Sequence, residues 1–190
     1  MTTTSDQVHR QLLEHIGGSW PDREQVDLEW EMGPIKERLP SFQVRRLSPP
    51  GPGFGYVYLS VGAFEAPSAP PYEFFLMAPA ESWSHVETLA MVAHFHSFPE
   101  HSLRPGSLVD LGKPWTEGSK FHHLLVSWPH PFDPRVATCD TARGEVMFLW
   151  LVAISEQEAQ FSRTYGVELL EDRLEASGVN LLDPFRGSVI

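Results

Sequence analysis

Cysteine is nearly absent from this chain. Cys139 stands alone among 190 residues, which excludes an internal disulfide framework and a cysteine-based zinc site. Positive charge is scarce as well. Lys and Arg total 14 against 25 Asp and Glu, only three of the 14 are lysine, and the formal charge is −11. The arginines are scattered apart from the pair Arg45-Arg46. Nucleic acid, whose phosphates demand clustered cations, is therefore not an expected partner. No apolar run exceeds nine residues, and MTTTSDQVHR carries no apolar leader core. Neither a membrane span nor a signal peptide is expected, and the cytoplasm is the expected location.

What is present reads as an ordinary globular composition, 42% hydrophobic and 21% charged. Its acids concentrate at the ends, with 8 against 4 bases in residues 1–40 and 8 against 3 in residues 145–190. Solubility is the bland account of that asymmetry. The sharper one is an acidic surface that attracts a basic protein partner.

The most informative stretch is VMFLWLVAI at 146–154, followed at once by SEQE. It is too uniformly apolar for a strand with one wet face, so it reads as a strand buried on both sides at the centre of a sheet. Ser155 and Glu158 supply the Ser-x-x-Glu capping box that starts a helix. Gly166 interrupts that helix, a second runs over 167–176, and Gly178 stands where a helix ends. At the other end, Ser5 is expected to cap a helix through Ile16, with Val8, Leu12 and Ile16 on one stripe and Gly17-Gly18 ending it. Over 24–32, Val26, Leu28, Trp30 and Met32 alternate with Asp27, Glu29 and Glu31, giving a strand with one core face and a row of three carboxylates. Further strands are expected at 42–47, 54–62, 72–78 and 121–128, and a helix at 82–97. Strands dominate the first half without regular βαβ alternation. This predicts an α+β fold, a mixed and mainly antiparallel sheet flanked by helices, in a single domain.

Catalytic chemistry finds no footing. GPGFG at 51–55 lacks the Lys-Ser/Thr ending of a phosphate-binding loop, no GxGxxG precedes a helix, and GxSxG is absent. Nine histidines invite a metal, yet no His-x-x-x-His spacing exists and His94 and His96 fall about 200° apart on a helix. No metal and no cofactor are expected, and surface or helix-end positions are. Cys139 falls in the polar stretch VATCDTARG with no base placed beside it, so it reads as incidental. Glu73 lies inside the apolar run YEFFLMA. If it faces inward it needs a partner, for which Arg186 or Arg143 is available. The remaining signal is aromatic: Trp115, Trp128 and Phe132 fall in or beside loops, where exposed rings would anchor an interface and buried ones would fold back on the core.

Taken in order, several segments resemble the Suppressor of fused domain family over residues 20–190. YEFFLMAP at 72–79 is similar to its Glu-Leu-rich strand ending in proline, and SWSHVETLAMVAHF at 82–95 to its Trp-led helix. Gly106 and WTEGSKFHHLLVSWP are similar to a stretch with a Gly-Ser step before a strand. FLWLVAISEQEAQFSRTYGVELLEDRLEASG resembles its most distinctive region, and DPFRGSVI at 183–190 its closing Asp-x-x-Arg-x-Ser segment. One departure is LSVGAF at 59–64, where many members carry Gly-Met-Ser.

The resemblance implies a mixed-sheet α+β domain over 20–190, preceded by an N-terminal helix and tail at 1–19, without catalytic residues, whose role is to bind and restrain another protein. In animal members the restrained protein is a zinc-finger transcription factor, held as an added strand. Bacterial single-domain members resemble immunity proteins that neutralise toxins. The expectation is thus a non-enzymatic protein that neutralises a toxin; the charge pattern and the loop aromatics, rather than the resemblance, point to Asp27, Glu29 and Glu31 steering a basic partner and Trp115 and Trp128 anchoring it. The alternatives are a hydrolase that uses Cys139 or a histidine, and a regulator that sequesters a transcription factor.

Overall fold

Both faces of the apolar run 146–154 are covered, which is why it needs no polar alternation. Val146, Phe148, Trp150, Val152 and Ile154 belong to one core and Leu149, Leu151 and Ala153 to another on the opposite side of the sheet. The computed structural model describes residues 4–190. Among these the chain runs α1 (Thr4–Ser19), β1 (Gln25–Glu29), α2 (Ile35–Arg38), β2 (Gln43–Leu47), β3 (Tyr56–Val61), β4 (Tyr72–Ala78) and α3 (Trp83–His96). There follow β5 (Leu108–Asp110), β6 (His123–Ser127), β7 (Thr138–Thr141), β8 (Gly144–Ile154), α4 (Glu156–Tyr165) and α5 (Val167–Ser177).

The strands form one sheet in the order β1-β2-β3-β4-β8-β6-β5, with β7 paired to the beginning of β8. Every pairing is antiparallel except that of β4 with β8, where Tyr72 lies beside Met147. Helices α2 and α3 cover one face over Val44, Tyr58, Phe74 and Leu149. Helices α1, α4 and α5 cover the other over Val57, Leu59, Phe75 and Phe148. The result is a single α+β domain with a mixed, mainly antiparallel sheet, as the element pattern predicts.

Local rules hold where they are purely local. Ser155 accepts the Glu158 amide and Glu158 accepts the Ser155 amide, closing the capping box of α4. Gly178 ends α5 with a left-handed φ of 63°. Four expectations fail, each for want of a neighbour or a length of pattern the sequence does not show. The α1 helix runs through Gly17 and Gly18 rather than stopping there, because neither adopts a left-handed φ and the Trp20 amide still bonds the Ile16 carbonyl. Ser5 lies within that helix, and its hydroxyl donates to Glu65. The first strand ends at Glu29, not at residue 32, because Glu29 pairs with Gln43, where β2 begins, and no partner strand continues beyond. Cys139 sits in a strand rather than a polar loop. The alternation of β7 spans only four residues, too few to register as a pattern.

Candidate functional site

The acidic strand β1 is the outermost strand on its side of the sheet. Asp27 lies opposite Arg45 of β2, which donates to both its oxygens at 2.7 and 2.9 Å. The same guanidinium donates to the Leu13 carbonyl of α1 at 2.9 Å and to Gln25 at 3.2 Å. Its charge thus cancels Asp27. The expected row of three carboxylates is reduced to Glu29, exposed at the strand end, and Glu31, exposed in the following loop. Among the described residues neither takes part in an ion pair. The adjacent Arg45-Arg46 is the sequence signal that could have foretold this pairing.

The two tryptophans part company. Trp115 is core, only 3% exposed, tilted against the His85 ring at 5.7 Å. The expectation that Trp115 is offered to a partner is corrected, because its amide bonds the Phe121 carbonyl at 3.0 Å and folds the loop inward. Phe132 likewise packs its ring edge-on against Trp150 and Phe75. Trp128 is half-buried and lines a cleft of about 370 Å³ between the sheet and α5. Leu125, Trp150 and Val152 form its floor and Leu174, Glu171 and Glu175 of α5 one wall, while Trp128 borders it and packs against the core on the opposite face of the sheet. The Ser127 hydroxyl donates to the Glu171 carboxylate across the cleft's end.

The candidate nucleophile is poorly placed for chemistry. Burial, and then the charge of Asp140, push the Cys139 thiol up to about 11, so no useful thiolate exists at neutral pH. Histidines expected at the surface are partly structural instead. His85 and His96 are buried on α3, and His123 on β6. Burial lowers His85 to about 4. His96 accepts the Leu103 amide at Nδ1 (3.0 Å), so its Nε2 carries the hydrogen donated to the Pro70 carbonyl at 3.1 Å. Among the described residues no group of three His, Cys, Asp or Glu side chains is placed to hold a metal ion.

Among the described residues, two glutamates are completely buried. Glu73 of β4 faces inward as its apolar surroundings suggest, but neither Arg186 nor Arg143 meets it. Its carboxylate accepts the Ser60 hydroxyl and the amides of Gly62 (2.8 Å) and Phe64 (3.2 Å). Gly62 makes this turn possible: its φ is 110°, and a Cβ there would lie 3.0 Å from the Phe42 Cα. Burial raises Glu73 to about 7 despite those donors. Arg186 instead clasps Glu158 at 2.7 and 3.0 Å, donates to the Ala153 carbonyl at 3.2 Å and lies 4.5 Å over the Phe121 ring.

Residues 54–187 match the Suppressor of fused protein (SUFU) family. A crystal structure of a SUFU homolog from Neisseria gonorrhoeae is 33% identical, with a TM-score of 0.87 over 96% of this chain and 97% of that one. The crystal structure of a Sufu–Fu complex matches at 14% identity and a TM-score of 0.73, covering 96% of this chain and 92% of that one. Drosophila Suppressor of Fused matches at 16% identity and a TM-score of 0.69. There, 96% of this chain corresponds to 51% of the fly protein. No curated protein matches the sequence.

Proposed function

Since the chain belongs to the Suppressor of fused family, we propose that it is a non-enzymatic, cytoplasmic binding protein that captures a basic protein partner, a toxin whose action it blocks. The observation that carries this reading is the formal charge of −11 combined with an outermost strand whose Glu29 is exposed and outside any ion pair among the described residues. An acidic surface of this kind raises the encounter rate with a cationic protein and does so more strongly at low salt. Support comes from two further facts. A structure of the same fold is that of a Sufu–Fu complex. The one thiol is held in its unreactive form. Asp27 contributes little to the steering field because Arg45 neutralises it, so Glu29 and Glu31 are the residues of interest.

The test is co-purification of the tagged protein from its own cells at low salt. Recovery of one basic protein, released as salt rises, is the expected result. That protein expressed alone should arrest growth, and this chain should restore it. A Glu29→Lys/Glu31→Lys variant should associate roughly tenfold more slowly at low salt. Unchanged association would overturn the electrostatic part. A hydrolase activity lost on Cys139→Ala would overturn the binding reading as a whole.

A further inference from the structure

The cleft between α5 and the sheet is built rather than incidental. Its floor comes from the adjacent strands β6 and β8, and Trp150 there is fixed by Phe132 edge-on at 5.2 Å and Phe75 stacked at 6.5 Å. The cleft stays open because α5 ends at Gly178 and the chain turns away through Val179 and Leu181 along its rim. A volume of about 370 Å³ lies at the small end of ligand sites. It has room for one or two large side chains and none for a helix.

Its charge has one sign. Glu171 and Glu175 stand one turn apart on the α5 wall, and no lysine or arginine lines the cleft. The last carbonyls of α5 add their negative end beside Glu175. The nearest cation on the helix, Arg173, is turned away and lies 4.7 Å over the Phe161 ring of α4. His130 is the only basic side chain among the lining residues. Ser127 holds one oxygen of Glu171 and leaves the other to accept. An apolar, rigid floor beside two carboxylates fits a side chain that is large and apolar with a cation next to it.

We propose that this cleft is the anchor pocket for the partner, seating a large apolar side chain of a segment whose neighbouring residue is lysine or arginine. The inference rests on the protein-binding reading above and adds where and by what chemistry the partner is held. A pre-formed floor loses little freedom on binding, which suits an anchor.

The probe is a short peptide, acetyl-Gly-Lys-Trp-Lys-Gly-amide, titrated into the whole protein and followed by the indole N–H resonance of Trp150 on the cleft floor. That signal should shift while that of the core Trp115 stays put. The Gly-Lys-Ala-Lys-Gly peptide should bind at least about tenfold more weakly, and Gly-Glu-Trp-Glu-Gly should not shift the signal. Glu175→Lys, an exposed change that leaves the fold intact, should weaken the first peptide roughly tenfold. Equal binding by the tryptophan and alanine peptides, or equal binding by the lysine and glutamate peptides, would overturn the proposal. A partner captured from cells with unchanged affinity by Glu175→Lys would overturn the pocket and leave the binding reading standing. Peptide binding in the cleft without any captured partner would do the reverse.

Discussion

Glu73 and Glu158 are both fully buried, and both accept backbone N–H groups, yet their carboxyls are displaced in opposite directions. Glu73 sits mid-sheet among dipoles alone, and burial prevails, raising it to about 7. At Glu158 burial pushes upward as well, but the Arg186 hydrogen bonds, the Ser155 and Val189 amides and the Arg186 charge together bring it below the usual carboxylate range. Three oriented donors do not replace one guanidinium in a dry interior. The pair also differs in what it fastens. Glu73 secures the turn after β3, whereas Glu158 ties the closing segment of the chain to the start of α4.

Breaking the second arrangement should have the largest effect. Arg186→Met turns Glu158 into a second Glu73, buried and held by amides, and should cost about 3–5 kcal/mol in urea unfolding at neutral pH. The loss should shrink in acid as Glu158 takes up a proton, and Glu158→Gln/Arg186→Met should recover much of it.

The pH dependence of the two glutamates has opposite sign. Between its ordinary value and about 7 the folded chain keeps a proton on Glu73 that the unfolded chain has released, so stability falls as pH rises through that window. Glu73→Gln should remove the loss, worth about 3 kcal/mol above the window, and flatten the difference in midpoint across it. Glu158, with its carboxyl lowered on folding, contributes stability above its unfolded value that is lost as pH falls through the folded one. The Glu158→Gln variant should therefore lose that acid limb alone.

Ser60→Ala sharpens the comparison with a smaller change. The Ser60 hydroxyl donates to Glu73 and accepts the Phe74 amide at 2.8 Å, so its removal should cost about 1–2 kcal/mol. It should also carry the Glu73 window to higher pH, measured by the same unfolding series.

The two glutamates also mark how far the sequence can be read. The capping role of Glu158 was visible because its partner is three residues away. Its counter-ion was not, because Arg186 lies 28 residues on. The inward position of Glu73 followed from its apolar neighbours, while its true partners depend on the register of β3 and β4 and on the turn at Gly62. Strand register equally hid the cancellation of Asp27 by Arg45. Trp115 and Trp128 looked alike as loop tryptophans, and both pack on the core that α3 covers, Trp115 within it and Trp128 at its margin. The cleft itself gathers three stretches distant in the chain, and none of them carries a motif for it.

The lone parallel pairing, β4 with β8, sets the order in which the protein can be completed on the ribosome. β1 to β4 are joined by neighbouring connections and can pair as they emerge. β4 then presents a bare edge until the stretch from Met147 has been synthesised. At roughly 5–20 residues per second that wait lasts several seconds. During it the apolar rings of Phe74 and Phe75 have no β8 beside them. An unpaired apolar edge of this kind makes the nascent chain prone to aggregation until β8 closes it.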